Sequence, residues 1–445
     1  MRAKALDVLA SSIEGPLVSP RRLAQLANGI RGWLRSQRAA GLLQEVQRAR
    51  LARTLDYAAR RSPFYREALA AQAARVDERT VLAALAEMPF TYPADVREWR
   101  RFLCVPEAQL GAVHTTSGTA GTPKVIGFTR RELQRLVTLW ALGMRIGHDG
   151  PMRVLIALPT THGLWIGTAS ATRAVERAGG LPLPVGTPQP SEALAWMRRF
   201  EPNMIVSSPS YLSALTRQAQ EEGYRARLDG LTLGGEPLDD ERKQRFSAYW
   251  GSSVQESYGA TEIGGPQTIA LPDCRALHLN EFHLYTEIVE PGGTTPAEEG
   301  DLVFTTLTRE AMPLVRYRIG DRARWDACDC GLPLRSIKLL GRSDDMLTLG
   351  GAHVEAQVLA DAVAGLPGTA GRVALRIERE GGIDHLTLRV EGDDVDEGAV
   401  RDALWGAYPR LRDTVDGAQL RLTIETGVDL SRQVKGFSVR DTRPG

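Results

Sequence analysis

The sequence predicts an α/β protein with a large layered N-terminal domain and a small α+β C-terminal domain. In the middle of the chain, short apolar runs that end in turn residues alternate with amphipathic helices, which is typical of buried strands in a layered sheet. After residue 342 this alternation gives way to a hairpin pattern. A chain of 445 residues is also too long for one ordinary core, so two domains are expected.

The elements of the large domain follow from hydrophobic periodicity. Residues 1–90 are predicted to be mostly helical, because apolar residues recur at three- and four-residue spacing. Buried strands and amphipathic helices should then alternate, with strands at 153–158, 204–208 and 230–235 and helices at 191–200 and 239–249. This order indicates helices packed on a sheet.

The small domain follows a break after Arg342. Its predicted elements are a helix around 355–364, hairpin strands at 372–379 and 385–390, a helix at 397–406 and a strand at 419–425. We therefore expect domains at 1–343 and 344–445, the second of about one hundred residues, a usual domain size.

Composition excludes several functional classes. A net charge of +1 argues against nucleic acid as a partner. No apolar run reaches the roughly 18 residues that would span a bilayer, so no membrane partner is expected. The first residues lack the apolar block of a secretion signal, which makes a cytoplasmic location the default expectation. Four cysteines in so long a chain do not form a disulfide framework.

The most informative segment is 115–124, which reads Thr-Thr-Ser-Gly-Thr-Ala-Gly-Thr-Pro-Lys. Small residues let the backbone present N–H groups in a concave turn beside hydroxyls and one lysine, a suitable arrangement for a polyphosphate. Thr122 and Pro123 separate Gly121 from Lys124, so the spacing is not that of an ordinary phosphate-loop NTPase. On its own, the same string is also typical of a polar surface turn.

Further polar segments follow in a fixed order. They are Ser257-Tyr258-Gly259-Ala260-Thr261-Glu262, Arg316-Tyr317-Arg318-Ile319-Gly320-Asp321, Leu340-Gly341-Arg342-Ser343-Asp344-Asp345, and Val434-Lys435-Gly436 with Arg440 and Asp441. Together with 115–124 they resemble the adenylate-forming superfamily of acyl-CoA synthetases, peptide-synthetase adenylation domains and luciferases. The resemblance is strongest to its phenylacetate–CoA ligase-like branch, and it runs from about 62–65 to the end of the chain.

The resemblance implies an AMP-forming acid–thiol ligase. Such an enzyme uses ATP and Mg²⁺ to convert a carboxylic acid into an acyl-adenylate, and then passes the acyl group to a thiol, here most simply that of CoA. A carboxylate is a poor electrophile, and AMP transfer corrects this if the enzyme positions the acid and shields the phosphates.

The resemblance also assigns the nucleotide site. The residues implied for the β- and γ-phosphates are Thr115, Ser117, Gly118, Thr119, Gly121 and Lys124. Tyr258 would flank the adenine, with Ser257 and Gly259 beside it. Asp321 would accept hydrogen bonds from the ribose hydroxyls, and Arg342 would lie against ribose or phosphate. Taken alone, the last two residues are also compatible with a surface ion pair.

The catalytic residues implied by the resemblance are Lys435, Thr261 and Glu262. Lys435 would bridge the acid and the α-phosphate, Thr261 would bind the α-phosphate, and Glu262 would help to hold Mg²⁺. Asp344 would be the hinge of the small domain, so the resemblance also implies that this α+β domain is mobile. Relatives usually have Gly-Lys where this chain has Val434-Lys435, and a solvated tail lysine is the alternative interpretation.

The pocket for the carboxylic acid is expected around residues 159–165, residues 208–211 and the turn at 234–235. Its candidate residues are His162, Trp165, Ser210, Tyr211 and Gly234. Gly234 is followed by Gly235 and Glu236, and these three residues match the Gly-Gly-Glu turn that precedes the adenine pocket in the family. The aromatic side chains point to an aromatic or flat acid, although a lone histidine or tryptophan more often serves packing.

A second group of residues has the side-chain types that bind zinc. Cys274, His278, Cys328 and Cys330 offer three thiolates and one imidazole, which suit tetrahedral Zn²⁺. Similar positions occur in the phenylacetate–CoA ligase-like branch, where the metal is structural. His283 is an alternative fourth ligand, and reduced cysteines without a metal are the alternative to the site as a whole.

One departure bears on the acyl acceptor. Relatives commonly have Gly-x-Asn-Val-Phe-Pro after the hinge, whereas this chain has Gly-Ala-His-Val-Glu-Ala at 351–356. A carrier-protein thiol or an amine, as in secondary metabolism, is therefore an alternative acceptor to CoA. A catalytically silent nucleotide-binding protein is a further alternative. The sequence leaves the oligomeric state open, a homodimer included.

Overall fold

The structure is a computed structural model, and the residues it describes are 23, 25–27, 29, 32, 35, 37–69, 77–116, 124–146, 148, 150–159, 164, 166–236, 238–271, 274–342, 346–349, 352–380, 383–416, 418, 420–431, 433 and 436–443. These residues form a mixed α/β fold in which a large N-terminal part is followed by a small C-terminal one. The predicted fold class is thus confirmed.

The helices and strands are numbered along the described residues. The helices are α1 (Gln37–Arg61), α2 (Pro63–Ala68), α3 (Val81–Ala86), α4 (Trp99–Phe102), α5 (Arg130–Arg145), α6 (Gly167–Arg177), α7 (Pro190–Phe200), α8 (Pro209–Glu221), α9 (Asp240–Trp250), α10 (Ala356–Ala364), α11 (Glu397–Ala407) and α12 (Pro409–Asp416). None of them is both long and apolar enough to cross a bilayer.

The strands that belong to the large domain are β1 (Leu110–Thr115), β2 (Val125–Thr129), β3 (Arg153–Ala157), β4 (Leu181–Leu183), β5 (Met204–Ser207), β6 (Gly230–Gly234), β7 (Val254–Ser257), β8 (Gly259–Ala260), β9 (Gly265–Pro266), β10 (Thr268–Leu271), β11 (Cys274–Leu279), β12 (Leu284–Val289), β13 (Glu299–Thr306), β14 (Tyr317–Asp326) and β15 (Ser336–Arg342). Those of the small domain are β16 (Met346–Leu349), β17 (Ala352–Glu355), β18 (Thr369–Glu380), β19 (Ile383–Gly392), β20 (Leu420–Thr426) and β21 (Phe437–Asp441).

Helix α1 forms because its apolar residues return to one face. Leu51, Leu55 and Ala58 follow at three- and four-residue spacing, and all three are fully buried. Arg60 and Arg61 occupy the last turn, where positive charge stabilises the helix C-terminus. The helical prediction for the first ninety residues is confirmed over α1, α2 and α3.

A five-stranded parallel sheet in the order β4-β3-β5-β6-β7 forms the first layer. In β3, alternate side chains face opposite sides, so Val154 and Ile156 join one core while Leu155 and Ala157 join another. The predicted strands are confirmed as β3, β5 and β6, each one residue shorter than expected, and the two helices as α7 and α9. Because the carboxyl ends of parallel strands open on one edge, the turns after β6 and β7 lie side by side.

An antiparallel sheet in the order β10-β11-β15-β14-β13-β12 forms a second layer. Leu302 and Phe304, alternate residues of β13, are fully buried in a core that also contains residues of α1 and α2. Strands β14 and β15 form a hairpin that pairs Asp321 with Arg342 at its open end. The sheet therefore brings together residues that stand 21 positions apart.

The small domain has a sheet in the order β20-β19-β18-β21. Strands β18 and β19 form the predicted antiparallel hairpin, and the two outer strands are parallel to their neighbours. Its core cluster runs from Leu347 to Phe437. The sequence analysis missed α12 and the strands β16, β17 and β21. In β21 only Phe437 is buried, so this strand lacks a periodic apolar signal.

Hydrogen bonds between described residues connect the large domain to the small one. The guanidinium of Arg217 donates from Nη1 to the carbonyl oxygen of Thr369 at 2.8 Å. The backbone N–H of Gly436 donates to Oε1 of Glu236 at 3.1 Å. Both large-domain residues lie at or beside helix α8.

Candidate active site

Strands β1 and β2 hold the two ends of the predicted phosphate loop. Thr115 pairs with Val125, and the Thr116 N–H donates to the Lys124 carbonyl at 3.2 Å. The loop between these ends, which includes the predicted residues Ser117, Gly118, Thr119 and Gly121, lies outside the described residues. The sheet thus fixes where the loop begins and where it returns, at Lys124.

Lys124 lies against a buried carboxylate. Its Nζ is 2.7 Å from Oε1 of Glu262, and the two side chains are 15% and 6% exposed. The hydroxyl of Tyr317 lies beside this ion pair and contacts both of its members, since it accepts from Lys124 Nζ at 3.3 Å and donates to Glu262 Oε1 at 3.2 Å. Burial, followed by the negative charge of Glu262, raises the pKa of Tyr317 well above its usual value, so the phenol keeps its proton.

Tyr317 is a site residue that sequence reasoning missed. It stands in the Arg316–Asp321 segment, which was recognised as a motif, but only Asp321 was assigned a role there. Tyr317 and Asp321 are four residues apart on β14, and alternate residues of a strand share a face. This spacing is the signal that could have found it.

Asp321 is the centre of a second group. Its Oδ2 accepts from the Tyr258 hydroxyl at 2.6 Å, and its Oδ1 accepts from Arg342 Nη1 at 3.1 Å. Burial, and then the charge of Asp321, raises the pKa of Tyr258 well above its usual value. The charge of Glu262 acts on Tyr258 as well, and that of Asp321 on Tyr317, so the two groups form one site.

A tight turn carries Thr261 and Glu262 into this site. Strands β8 and β9 flank them, and Gly259 pairs with Pro266. A Cβ on Gly259 would collide with the carbonyl oxygen of Gly265, so only glycine permits this approach. Both Thr261 and Glu262 are buried at the tip of the turn.

The turn after β6 contains the predicted residues Gly234, Gly235 and Glu236. A Cβ on Gly234 would lie 2.5 Å from the carbonyl oxygen of Ser257, and Gly235 has a φ of +84°, so both positions require glycine. Glu236 is held by Ser210, whose hydroxyl donates to Oε1 at 2.7 Å. The structure therefore places the assigned residues of this turn beside Ser257 and Ser210.

Tyr211, assigned to the acid pocket, follows Ser210 in the first turn of α8. It is 7% exposed, packs in the core on one side of the parallel sheet, and donates its hydroxyl to the Pro188 carbonyl at 2.9 Å. Its contact with an acid stays a prediction. The other pocket candidates, His162 and Trp165, lie outside the described residues, as do the hinge residue Asp344 and the catalytic candidate Lys435.

The four candidate zinc ligands come together. The ligand atoms of Cys274, His278, Cys328 and Cys330 all lie within 4.8 Å of one another. The shorter separations are 3.3 Å between the Sγ atoms of Cys274 and Cys328 and 3.2 Å between Cys330 Sγ and His278 Nε2. Tetrahedral Zn–S bonds of about 2.3 Å would separate two sulfurs by about 3.8 Å, so a modest adjustment of the side chains would fit the metal.

The surroundings of His278 also suit a metal. Its Nδ1 lies 2.8 Å from the Leu334 carbonyl oxygen, which fixes the ring and leaves Nε2 toward the thiols. His283, the alternative ligand, instead has its Nδ1 at 2.7 Å from the Thr308 hydroxyl. The cluster ties the connection between β14 and β15 to β11, at the opposite end of the hairpin from Asp321 and Arg342.

Comparison with known proteins settles the family. Residues 39–302 match the family described as AMP-binding enzyme. The chain belongs to that family. A phenylacetate-coenzyme A ligase of Aromatoleum evansii is 30% identical over 406 residues, which are 88% of this chain and 89% of the relative. One from Pseudomonas putida is 31% identical over 419 residues, or 90% of this chain and 94% of the relative.

Solved structures agree on the fold. A 2-hydroxyisobutyryl-CoA ligase with R3-HIB-AMP, in its postadenylation state, has a TM-score of 0.70 at 22% identity and covers 91% of this chain and 90% of its own. The same ligase with 2-HIB-AMP and CoA, in its thioesterification state, has a TM-score of 0.64 at 24% identity and covers 92% of each chain. The resemblance inferred from the motifs is confirmed, and this member of the AMP-binding family is an AMP-forming ligase of the acyl-CoA synthetase type.

Proposed function

We propose that this enzyme adenylates an aryl or related carboxylic acid with ATP and then transfers the acyl group to the thiol of CoA. The observation that carries the proposal is the convergence of Lys124, Tyr258, Glu262, Asp321 and Arg342, from four separate segments, into one partly buried group. Relatives that cover about nine tenths of this chain are named phenylacetate-coenzyme A ligases, which supports both the aryl acid and CoA.

The charges of the site match a magnesium nucleotide. Lys124 and Glu262 neutralise each other here, and each has a natural partner in the substrate: the phosphates for the lysine and Mg²⁺ for the carboxylate. Mg²⁺, when bound, would offset phosphate charge. Tyr317 donates to Glu262 and accepts from Lys124, so it would hold both groups in position while their partners change.

The second group suits the nucleoside. Asp321 has two oxygens that already accept hydrogen bonds, and a carboxylate oxygen has capacity for more than one donor. Asp321 would therefore take up the ribose hydroxyls, with Arg342 beside it and the ring of Tyr258 against the adenine. Thr261 would contact the α-phosphate from the adjoining turn.

Lys435 is proposed to carry the adenylation step. Its ammonium group would bridge the acid and the α-phosphate while negative charge moves between them. Domains at 1–343 and 344–445, with Asp344 as hinge, would let the small domain bring Lys435 in for this step and withdraw it for the next.

The acyl acceptor has a second candidate. Where relatives have Phe-Pro after the hinge, this chain has Glu355 at the end of β17 and a fully buried Ala356 at the start of α10. This departure favours a carrier-protein thiol or an amine as the alternative acceptor.

The cysteine–histidine cluster is proposed to bind one structural Zn²⁺. Four protein ligands would close the coordination shell, which leaves no position for a substrate. The metal would fasten the β14–β15 connection to β11 and so support the strands that carry Asp321 and Arg342.

The test is acid-dependent exchange of labelled pyrophosphate into ATP, over a panel of aryl and aliphatic acids, followed by mass-spectrometric detection of acyl-CoA. Lys435→Ala should lower the exchange rate by roughly 100-fold or more, because it removes a charge that acts in the transition state. Lys338→Ala removes an exposed lysine of β15 and serves as the matched control.

Each outcome decides between the candidates. Exchange without acyl-CoA formation would favour the carrier protein or amine as acceptor. No exchange with any acid, together with nucleotide binding, would instead identify a catalytically silent protein.

A further inference from the structure

Glu236 connects the two domains through one carboxylate. Its Oε2 accepts from the Ser210 backbone N–H at 3.0 Å, and its Oε1 accepts from the Ser210 hydroxyl at 2.7 Å. The same Oε1 accepts from the Gly436 backbone N–H at 3.1 Å. Two donors thus belong to the large domain and the third belongs to the small one.

Gly436 is fixed on its own side of this contact. Its carbonyl accepts from the Val373 N–H at 2.9 Å, and the parallel pairing of β21 with β18 begins there. A Cβ at position 436 would lie 3.0 Å from the Ser210 Cβ, closer than side chains normally approach. Glycine therefore lets the backbone of the small domain reach Glu236.

The position of this contact matters because Gly436 is covalently joined to Lys435. The turn that carries Glu236 lies beside β7, since Gly234 pairs with Ser257, and Tyr258 of the nucleotide group follows directly. Glu236 consequently holds the backbone next to Lys435 at the edge of the sheet where the nucleotide residues gather.

A second contact restrains the orientation. Arg217 donates to the Thr369 carbonyl from the same helix that carries Ser210, seven residues further on, or about 10 Å along α8. One contact would leave the small domain free to rotate about it, whereas two contacts, one at Glu236 beside Ser210 and one at Arg217, set its orientation.

We propose that Glu236 is a positioning residue that holds the small domain in the arrangement for adenylation and releases Gly436 before the acyl group is transferred. The inference rests on the proposed function, because it depends on Lys435 acting in the first half-reaction. Weakening the contact should therefore slow adenylation and spare the second step, in which the lysine is not needed.

Three variants test this proposal. Glu236→Ala removes the acceptor, Arg217→Met removes the second contact while keeping most of the side-chain length, and Glu241→Gln changes an exposed carboxylate on α9 as the control. For each variant we would measure pyrophosphate exchange, single-turnover thioester formation from supplied acyl-adenylate, and hydrogen–deuterium exchange of the peptide that contains Gly436. Thermal unfolding would confirm that every variant is folded.

Glu236→Ala should lower pyrophosphate exchange about tenfold, the loss of one hydrogen bond to a charged group. Thioester formation from supplied acyl-adenylate should stay equal or rise, and the Gly436 amide should exchange its proton about tenfold faster. Arg217→Met should act in the same direction, and Glu236→Gln, which keeps an acceptor at Oε1, should recover part of the rate.

Equal losses in both half-reactions would overturn the proposal, since they would indicate a merely structural role. Unchanged hydrogen–deuterium exchange at Gly436 would overturn it as well. If the unaltered enzyme showed no pyrophosphate exchange with any acid, the proposed function and with it the adenylation role would fail, while faster deuterium exchange in Glu236→Ala would still establish the contact itself.

Discussion

Replacing Tyr317 by phenylalanine would remove a single oxygen atom that is hydrogen-bonded to both Lys124 and Glu262. The ring is fully buried and phenylalanine fills the same space, so the core should keep its packing. The ion pair between Lys124 and Glu262, at 2.7 Å, does not depend on the phenol, so each charged group keeps the other as its partner. We therefore expect the activation free energy that governs kcat/KM for ATP to rise by about 1–2 kcal/mol, near the lower end of the range for hydrogen bonds to charged groups.

That cost corresponds to about a 5- to 30-fold decrease in kcat/KM for ATP, at 1.36 kcal/mol for each factor of ten. The assay is pyrophosphate exchange at varied ATP concentration, with thermal unfolding measured in parallel. The decrease should come with little change in unfolding temperature, because the substitution removes a contact of the site and leaves the apolar packing intact.

Tyr65→Phe provides a matched control in the same core. The Tyr65 hydroxyl also has two partners, the Thr91 hydroxyl at 2.9 Å and the Val315 N–H at 2.8 Å. Its loss leaves a buried N–H without an acceptor, which should lower stability by about 1–3 kcal/mol and leave kcat/KM for ATP unchanged. Equal kinetic effects of the two variants, or none for Tyr317→Phe, would refute the reasoning.

Other substitutions test other parts of the molecule. Asp321→Asn should raise KM for ATP by roughly 10- to 100-fold, because the charged acceptor for the ribose is lost, whereas Asp326→Asn near the other end of the same strand should not. Metal analysis of purified protein should find about one zinc per chain, and Cys328→Ser should lose it with a lower unfolding temperature, while Cys104→Ser retains it. Gly259→Ala should cost about 1–3 kcal/mol of stability or more, because its Cβ meets backbone atoms, whereas Gly143→Ala on the open face of α5 should be neutral or stabilising. A Gly259→Ala protein of normal stability would contradict the described turn.

The elements that the sequence predicted are those whose signal is local. Strand β3 is a continuous apolar run buried on both faces, and the β18–β19 hairpin has two alternating runs around a glycine turn. Strand β21 was missed because it is stabilised by pairing with β18, more than sixty residues earlier, and its own pattern is mostly polar. Pairing over such a distance leaves no trace in a short window of sequence.

The same distinction applies to the site. Lys124, Glu262 and Asp321 stand in motifs, so the family resemblance carried by those motifs indicated them. Tyr317 was missed because its role depends on the antiparallel sheet bringing β14 against the turn at Glu262. The interdomain bond of Glu236 was likewise beyond prediction, since its donor lies 200 positions away. The sequence predicted His278 as the fourth ligand with His283 as an alternative, and the folded strand β11 is what places His278 among the thiols.

Arg342 takes part in two features of the molecule. It completes the ion pair with Asp321, and it is also the last residue of β15 before the connection to the small domain. Under the proposed function, a ribose bound beside Asp321 would therefore lie close to the residue that is directly bonded to the segment leading to the small domain. If Arg342 has the proposed role, a substitution there should change nucleoside binding and the start of the interdomain connection together.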